Sequence, residues 1–320
     1  MKQRIAAFDI MKGIAILLVI VGHCQLIPKW IPHWIYSFHM PLFFLISGWF
    51  YKGYSNTNDF LKKNYQRLLI PFLFTTLIMV IYNLVATIRY SNWGIMKEQL
   101  VAIAFPTGIY RPWMWQFLTG PSEIGPIWFL ISLFWCRIIT DFLIHKRMPI
   151  WAIFLIAIAA TLTDNYLINL PFGILPGISA ITFYLIGYIF SSRLIPIWVI
   201  ILCVICWPLA IHFSSLGMSH CIYHIYPLDV LGACGGTIVI WYISRFIEKH
   251  TKITSQCLIW IGQGSLAVLC IHTLQKNCYV LEHIPLPNTW YVQLPLEVLI
   301  TVGLTWICSK ILFTRKVFGL

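Results

Sequence analysis

Apolar residues run along this chain in blocks about as long as a bilayer is thick, separated by short polar stretches. A helix needs about 20 predominantly apolar residues to cross the hydrocarbon core. Such runs occupy roughly 9–27, 34–52, 68–89, 126–144, 148–163, 172–191, 194–213, 229–246, 257–275 and 292–313, and the fifth is the shortest. The pattern predicts an all-α fold, a polytopic bundle of about ten transmembrane helices forming one domain over residues 1–320. An even number of crossings returns both termini to the same side. The first run is long enough to span and lacks a small-residue cleavage site, so it is expected as a retained helix rather than a cleaved signal.

Composition agrees with this. Hydrophobic residues make up 59% of the chain and charged residues 10%, against about 25% charged in a soluble domain. Mean hydropathy is +0.81. The formal net charge of +12 invites a nucleic-acid reading, but the basic residues are scattered through the connections between apolar runs. With the N-terminus placed in the cytoplasm, only Lys29, Arg89, Lys97, Arg111 and Lys276 of the 22 Lys and Arg fall outside. Lys12 lies within the first span, and the others fall inside. That asymmetry is the positive-inside signature. It predicts cytoplasmic termini in a bacterial-type cytoplasmic (inner) membrane, with membrane lipid as the surroundings and nucleic acid excluded as a partner.

Most connections are short. The exception, about 90–125, is predicted outside and carries Trp93, Trp113 and Trp115 among several prolines. Tryptophan favours the membrane interface, so this segment is expected to lie on the surface or to fold back as a re-entrant stretch. The cysteines, including Cys24, Cys136, Cys203, Cys206, Cys234, Cys270 and Cys308, sit mostly within apolar runs and read as small buried hydrophobes. Neither a metal site nor a disulfide framework is expected.

Ionisable groups within spans change the picture most. A charged or titratable side chain at membrane depth costs up to about 3 kcal/mol on insertion scales and marks a functional site by default. His23 lies near the outer end of the first run, and Asp9 and Lys12 lie near its inner end. Eleven residues at 3.6 per turn bring Lys12 and His23 to nearly one face, about 16 Å apart along the axis. Two groups so far apart cannot serve one atom, but they can serve the two ends of one long ligand. Counting depth in the second and ninth runs places His39 and His272 in the same outer third as His23. Glu123 and Trp128 enter from the outer connection. For each histidine alone, a helix–helix hydrogen bond is the competing explanation; for Lys12 it is a snorkelling anchor paired with Asp9. His212 and the 220–224 stretch read as solvated groups of an outer loop.

The blocks Phe8-Asp-Ile-Met-Lys-Gly-Ile-Ala-Ile-Leu-Leu-Val-Ile-Val-Gly-His23, Phe38-His-Met-Pro-Leu-Phe-Phe-Leu-Ile-Ser-Gly48, Arg67-Leu-Leu-Ile-Pro71, Gly125-Pro-Ile-Trp-Phe-Leu130 and Ile261-Gly-Gln-Gly-Ser-Leu-Ala-Val-Leu-Cys-Ile-His272 occur in an order that resembles the integral membrane acyltransferase-3 family. The branch described as fucose 4-O-acetylase-like is the most similar. The resemblance covers residues 1 to about 275, and its specificity lies in the combination of blocks. It implies an acyltransferase that moves an acyl group, acetyl above all, from cytoplasmic acetyl-CoA to a hydroxyl of an extracytoplasmic or lipid-linked glycan. Lys12 stands where many members carry arginine, which keeps the charge and loses the bidentate fork.

On this resemblance His23 is expected as general base or transient acyl carrier, with His39 and His272 as further catalytic residues. Lys12, Asp9, Arg67 and Trp128 are expected along the donor, and Glu123 and Ser265 on the acceptor. Ser265 and Trp128 are also candidates to orient the imidazole or to donate to the developing oxyanion. A competing class is a transporter of polysaccharide or small solutes that uses the histidines as a proton relay; the absence of an internal repeat speaks against it. A partner subunit that gathers glycan enzymes is a third class and leaves the histidines unexplained. The sequence is compatible with a homo-oligomer and specifies no oligomeric state.

Overall fold

The computed structural model describes residues 5–24, 26–53, 57–107, 123–163, 170–278, 287 and 289–320. Each apolar run carries helix. In order these are α1 (Ala6–Gly22), α2 (Trp30–Tyr36), α3 (His39–Trp49), α4 (Thr57–Asn64), a π-helical turn (Tyr65–Leu69), α5 (Ile70–Tyr90), α6 (Trp93–Ala104), α7 (Trp128–His145), α8 (Ile150–Thr163), α9 (Ile174–Ser179), α10 (Ile181–Phe190), α11 (Ile197–Phe213), α12 (Tyr226–His250), α13 (Lys252–Gln263), α14 (Ser265–Asn277), α15 (Trp290–Lys310) and α16 (Leu312–Phe318). The strands β1 (Leu216–Gly217) and β2 (Ile222–Tyr223) pair antiparallel with Leu216 opposite Tyr223, making a small hairpin between α11 and α12.

Among the described residues, four helical stretches are long and apolar enough to cross a membrane: Asn58–Tyr90, Trp128–His145, Tyr226–His250 and Trp290–Lys310. Two bent pairs raise this to six: Pro171–Ser179 with Ile181–Phe190, bent by 46°, and Lys252–Gln263 with Ser265–Asn277, bent by 72°. Large hydrophobic side chains point outward along these helices, among them Leu77, Val85, Ile88, Phe246 and Leu299. In water that surface would be unstable; against lipid it is the expected exterior.

Two runs that read as continuous in sequence are broken. The second divides at Ser37 and Phe38: the Ser37 hydroxyl turns back onto the Trp34 carbonyl at 2.7 Å, and Phe38 leaves helical backbone at φ −146°. A new helix then starts at His39, with Pro41 in its first turn, where a missing N–H costs nothing. The ninth breaks at Gly264, between α13 and α14. Both breaks place a histidine (His39 and His272) in the second piece.

Small residues bring the helices together. A side chain on Gly13 would run into the backbone of Leu258, and one on Gly262 into the backbone of Asp9, so the first half of α1 crosses the second half of α13 with backbones in contact. Gly48 meets Tyr184, and Gly187 meets Leu45, in the same way between α3 and α10. Without a hydrophobic driving force between helices in lipid, such close approach supplies the packing attraction.

The long connection expected outside contains α6, begun by Asn92, whose side chain accepts from the Gly94 N–H at 2.9 Å as an N-cap does. Asn83 on α5 donates to Gln99 on α6 at 2.6 Å and holds the two antiparallel. Trp93 is exposed. Trp113 and Trp115 lie outside the described residues. All ten cysteines are free thiols; Cys203 and Cys206 stand in a CxxC spacing on α11 and both are buried in its packing. Among the described residues no group of three or more His, Cys, Asp and Glu is arranged to hold a metal ion.

Candidate active site

The site is built on α1. Its apolar run ends at His23, whose own N–H bonds back to the Val19 and Ile20 carbonyls at 3.2 Å, so His23 closes the helix as its C-cap. The imidazole Nδ1 lies 2.8 Å from the Val19 carbonyl. A carbonyl only accepts, so Nδ1 carries the hydrogen, and the neutral ring presents Nε2 as its basic atom. His39 is fixed by the same device, with Nδ1 donating to the Ile35 carbonyl at 2.8 Å across the break between α2 and α3.

His272 comes up beside His23 from α14. The two rings meet edge to face with centroids 5.8 Å apart. His272 is fully buried. Its Nδ1 lies 3.4 Å from Oε1 of Glu297 on α15, and the Lys276 ammonium lies 3.9 Å from the same oxygen. These are ion-pair distances without hydrogen-bond geometry. Both nitrogens of His272 and Oε1 of Glu297 are buried with no hydrogen-bond partner. Buried polar atoms are almost always satisfied, and leaving one bare costs about 1–3 kcal/mol. Three in one place mark a position shaped for a polar guest.

Tyr36 joins the second pair of histidines. Its ring centroid is 6.0 Å from His23 and 5.3 Å from His39, and its hydroxyl donates to the Gly22 carbonyl at 2.6 Å. A side chain at Gly22 would press on the Tyr36 ring at 2.8 Å, which explains glycine one residue before His23. His23, His39, Tyr36, His272 and Glu297 therefore form one polar cluster at the end of the bundle that the charge pattern places outside.

Lys12 lies eleven residues back on the same helix and pairs with Asp9 at 2.7 Å; its side chain is 26% exposed. Arg67 lies in the π-helical turn and is exposed. Neither touches the histidine cluster. Trp128 begins α7, is buried, and packs on Phe129. Glu123 bridges to Thr107 through its backbone and approaches His220 Nε2 at 3.5 Å. Ser265 opens α14, seven residues before His272, so the two are about 10 Å apart along the helix axis.

Glu297, Lys276 and Tyr36 are the members that the sequence argument passes over. Glu297 carried a signal: it is the one acidic residue in the last apolar run, and a carboxylate at that depth needs a partner. Tyr36 carried none, because tyrosine in an apolar run is ordinary.

A family model described as an acyltransferase domain matches residues 5–312 of this chain. Among curated proteins, the nodulation protein NolL of Mesorhizobium japonicum is 30% identical over 209 residues, which cover 60% of this chain and 49% of that protein. NolL of Sinorhizobium fredii is 38% identical over 104 residues, 28% of either chain. The matched stretch thus spans about half or less of the length of these relatives. No solved structure matches.

Proposed function

The chain belongs to the acyltransferase-3 family, and from that premise we propose that it is a multi-pass membrane O-acyltransferase in which His23 is the base. The observation that carries this proposal is the pairing of a histidine held with Nε2 as its basic atom against a buried His272–Glu297 pair with unsatisfied atoms. The donor is acetyl-CoA, entering from the cytoplasm between the ten spans, with both termini on that side. The acceptor is a hydroxyl of an extracytoplasmic or lipid-linked glycan. The cell membrane of a bacterium is the setting.

The separation of Lys12 from His23 along α1, about 16 Å, suits the long flexible arm of coenzyme A. Its phosphates would lie by Lys12 and the exposed Arg67, and its thioester at the level of His23. His23 Nε2 takes the proton of the acceptor hydroxyl as the oxygen attacks the thioester carbonyl. The C–O bond forms, the C–S bond breaks, and the proton passes from the imidazolium to the departing thiolate, giving the ester and free coenzyme A. Glu297 favours the transient positive charge shared by the two histidines. Tyr36 stands beside the His23 ring, with His39 against Tyr36.

The test is CoA release from acetyl-CoA by the protein in nanodiscs, wild type against His23→Ala. Slow release that depends on His23 supports the reading. Equal release by both proteins overturns the role of His23, and no release by either overturns the enzyme.

A further inference from the structure

Arg137 is a charge that the mechanism leaves unused. It stands well inside α7, about 14 Å along the axis from Trp128 and about 12 Å from His145. A guanidinium cannot shed its charge, and a charge in the middle of a span-length helix marks a functional site by default. The protein covers this one incompletely. Nη1 donates to Ser47 Oγ on α3 at 3.0 Å, and the guanidinium carbon lies 5.5 Å over the centre of the Phe60 ring, which shields one face. Nε is buried with no hydrogen-bond partner. Among the described residues no carboxylate pairs with Arg137. Asp141, one turn further along α7, is taken: the Tyr51 hydroxyl donates to Oδ1 at 2.5 Å, and His145 Nδ1 lies 3.3 Å from Oδ2.

A second bare donor belongs to the same cluster. Tyr184 on α10 is fully buried and its hydroxyl has no partner. Its backbone lies against Gly48, the neighbour of Ser47, and its ring is 5.8 Å from that of Tyr51. Arg137 is the charge that acts on its hydroxyl most strongly. Ser47 accepts from the guanidinium and keeps its own proton to give. The atoms left over can therefore all donate: the Arg137 Nε–H, the Tyr184 hydroxyl and the Ser47 hydroxyl. At His272 and Glu297, by contrast, the bare atoms include a carboxylate oxygen. Donors grouped around a fixed cation call for an anion, and the planar guanidinium fork matches a phosphate.

We propose that Arg137, Tyr184 and Ser47 bind a phosphate group, and that the acyl donor carries it. The donor assignment rests on the acyltransferase reading above. Ser47 follows His39 on α3 by about 12 Å along the axis, so a phosphate here leaves a long arm to run toward the histidines. Coenzyme A bears a diphosphate and a separate ribose phosphate, so this site adds to Lys12 and does not replace it. A phospholipid headgroup offers the same chemistry. The depth of Arg137, about 12 Å from the end of α7, favours a ligand threaded between the helices.

The test uses full-length protein in nanodiscs with two donors, acetyl-CoA and S-acetylpantetheine, which keeps the thioester arm and has no phosphate. Thiol release is followed for each, and phospholipid retained by the protein is counted by native mass spectrometry. Arg137→Gln is expected to raise the KM for acetyl-CoA about tenfold and the shape-preserving Tyr184→Phe about threefold, the weights of a charged and a neutral hydrogen bond. The KM for S-acetylpantetheine should stay within about twofold of wild type in both, whereas damaged packing would affect the two donors alike. An unchanged KM for acetyl-CoA with loss of a retained phospholipid in both variants keeps the phosphate site and overturns its assignment to the donor. Equal rises for both donors, or no change in either KM or in lipid, overturn the site. Release from neither donor by wild type means that the acyltransferase premise has failed. Calorimetric binding of coenzyme A then tests the site alone: affinity weaker by about tenfold in Arg137→Gln supports it, on the same scale, and equal affinity overturns it.

Discussion

The two ends of α1 carry polar groups of opposite status. At the N-terminal end, Lys12 and Asp9 are three residues apart and close on each other at 2.7 Å. Each satisfies the other, and the lysine is still partly exposed. At the C-terminal end, His272 and Glu297 face each other at 3.4 Å with three atoms left bare, and His23 stands against them with one nitrogen occupied. The first pair is satisfied within the protein, and the second group keeps atoms with no protein partner. A helix can hold a charge near its end by pairing it locally at little cost, but bare buried atoms repay their desolvation only when something binds.

The contrast is broken most severely at His23. His23→Ala is expected to lower acyl transfer by about 10²–10⁴-fold, the usual weight of a positioned base, measured as acetyl ester formed per minute with the protein's detergent elution profile unchanged. A variant that retained more than a tenth of wild-type transfer would falsify the role. Next comes Glu297→Gln, which keeps shape and removes charge. It should reduce kcat by about 10–100-fold with little change in the KM for acetyl-CoA, a scale in keeping with the loss of one electrostatic contact in a water-poor site. A rise in donor KM at constant kcat would instead assign Glu297 to binding.

The Lys12–Asp9 pair predicts opposite signs from adjacent residues. Lys12→Ala should raise the donor KM by about tenfold, and Lys12→Arg should restore it, since both cations can meet a phosphate. Asp9→Asn releases the lysine from its partner and should lower the donor KM. If Asp9→Asn raises it as Lys12→Ala does, the two act as a structural unit and the phosphates bind elsewhere. The smallest effect is expected at Thr301, whose hydroxyl on α15 bonds to Gln275 on α14 and also to the Glu297 carbonyl. Hydrogen bonds between helices in membranes average about 0.6 kcal/mol, so Thr301→Val should shift the unfolding midpoint by a degree or two and leave transfer close to wild type.

Helix positions were legible in the sequence because a membrane leaves the backbone one way to satisfy itself, and every apolar run carries helix in the structure. Where a run bends was not. Gly264, between Gln263 and Ser265, and the Ser37–Phe38 step, between Tyr36 and His39, lie at short polar dips inside runs long enough to read as single spans, and a dip of that size does not by itself say that the chain turns. The histidines announced themselves by their cost in lipid, and the structure sets His23 against His272. Their placement depends on what surrounds them: Glu297 was visible on the same grounds but stands beyond the last block of the family resemblance, and Tyr36 matters only because its ring comes to lie beside both His23 and His39. Ser265 and Arg67 looked equivalent to His272 and Lys12 as residue types. The structure puts one a turn and more below the cluster and the other on the exposed surface of a π-helical turn.

The bond from His23 to Val19 has a mechanical consequence. The imidazole is braced by its own helix, one turn back, rather than by a neighbour. On the proposed mechanism a donor with a long arm enters beside α1, and a tautomer fixed from across that gap would be lost whenever it widened. Here the ring is tied to α1 itself, so a shift of the neighbouring helices leaves the hydrogen on Nδ1 and the lone pair on Nε2.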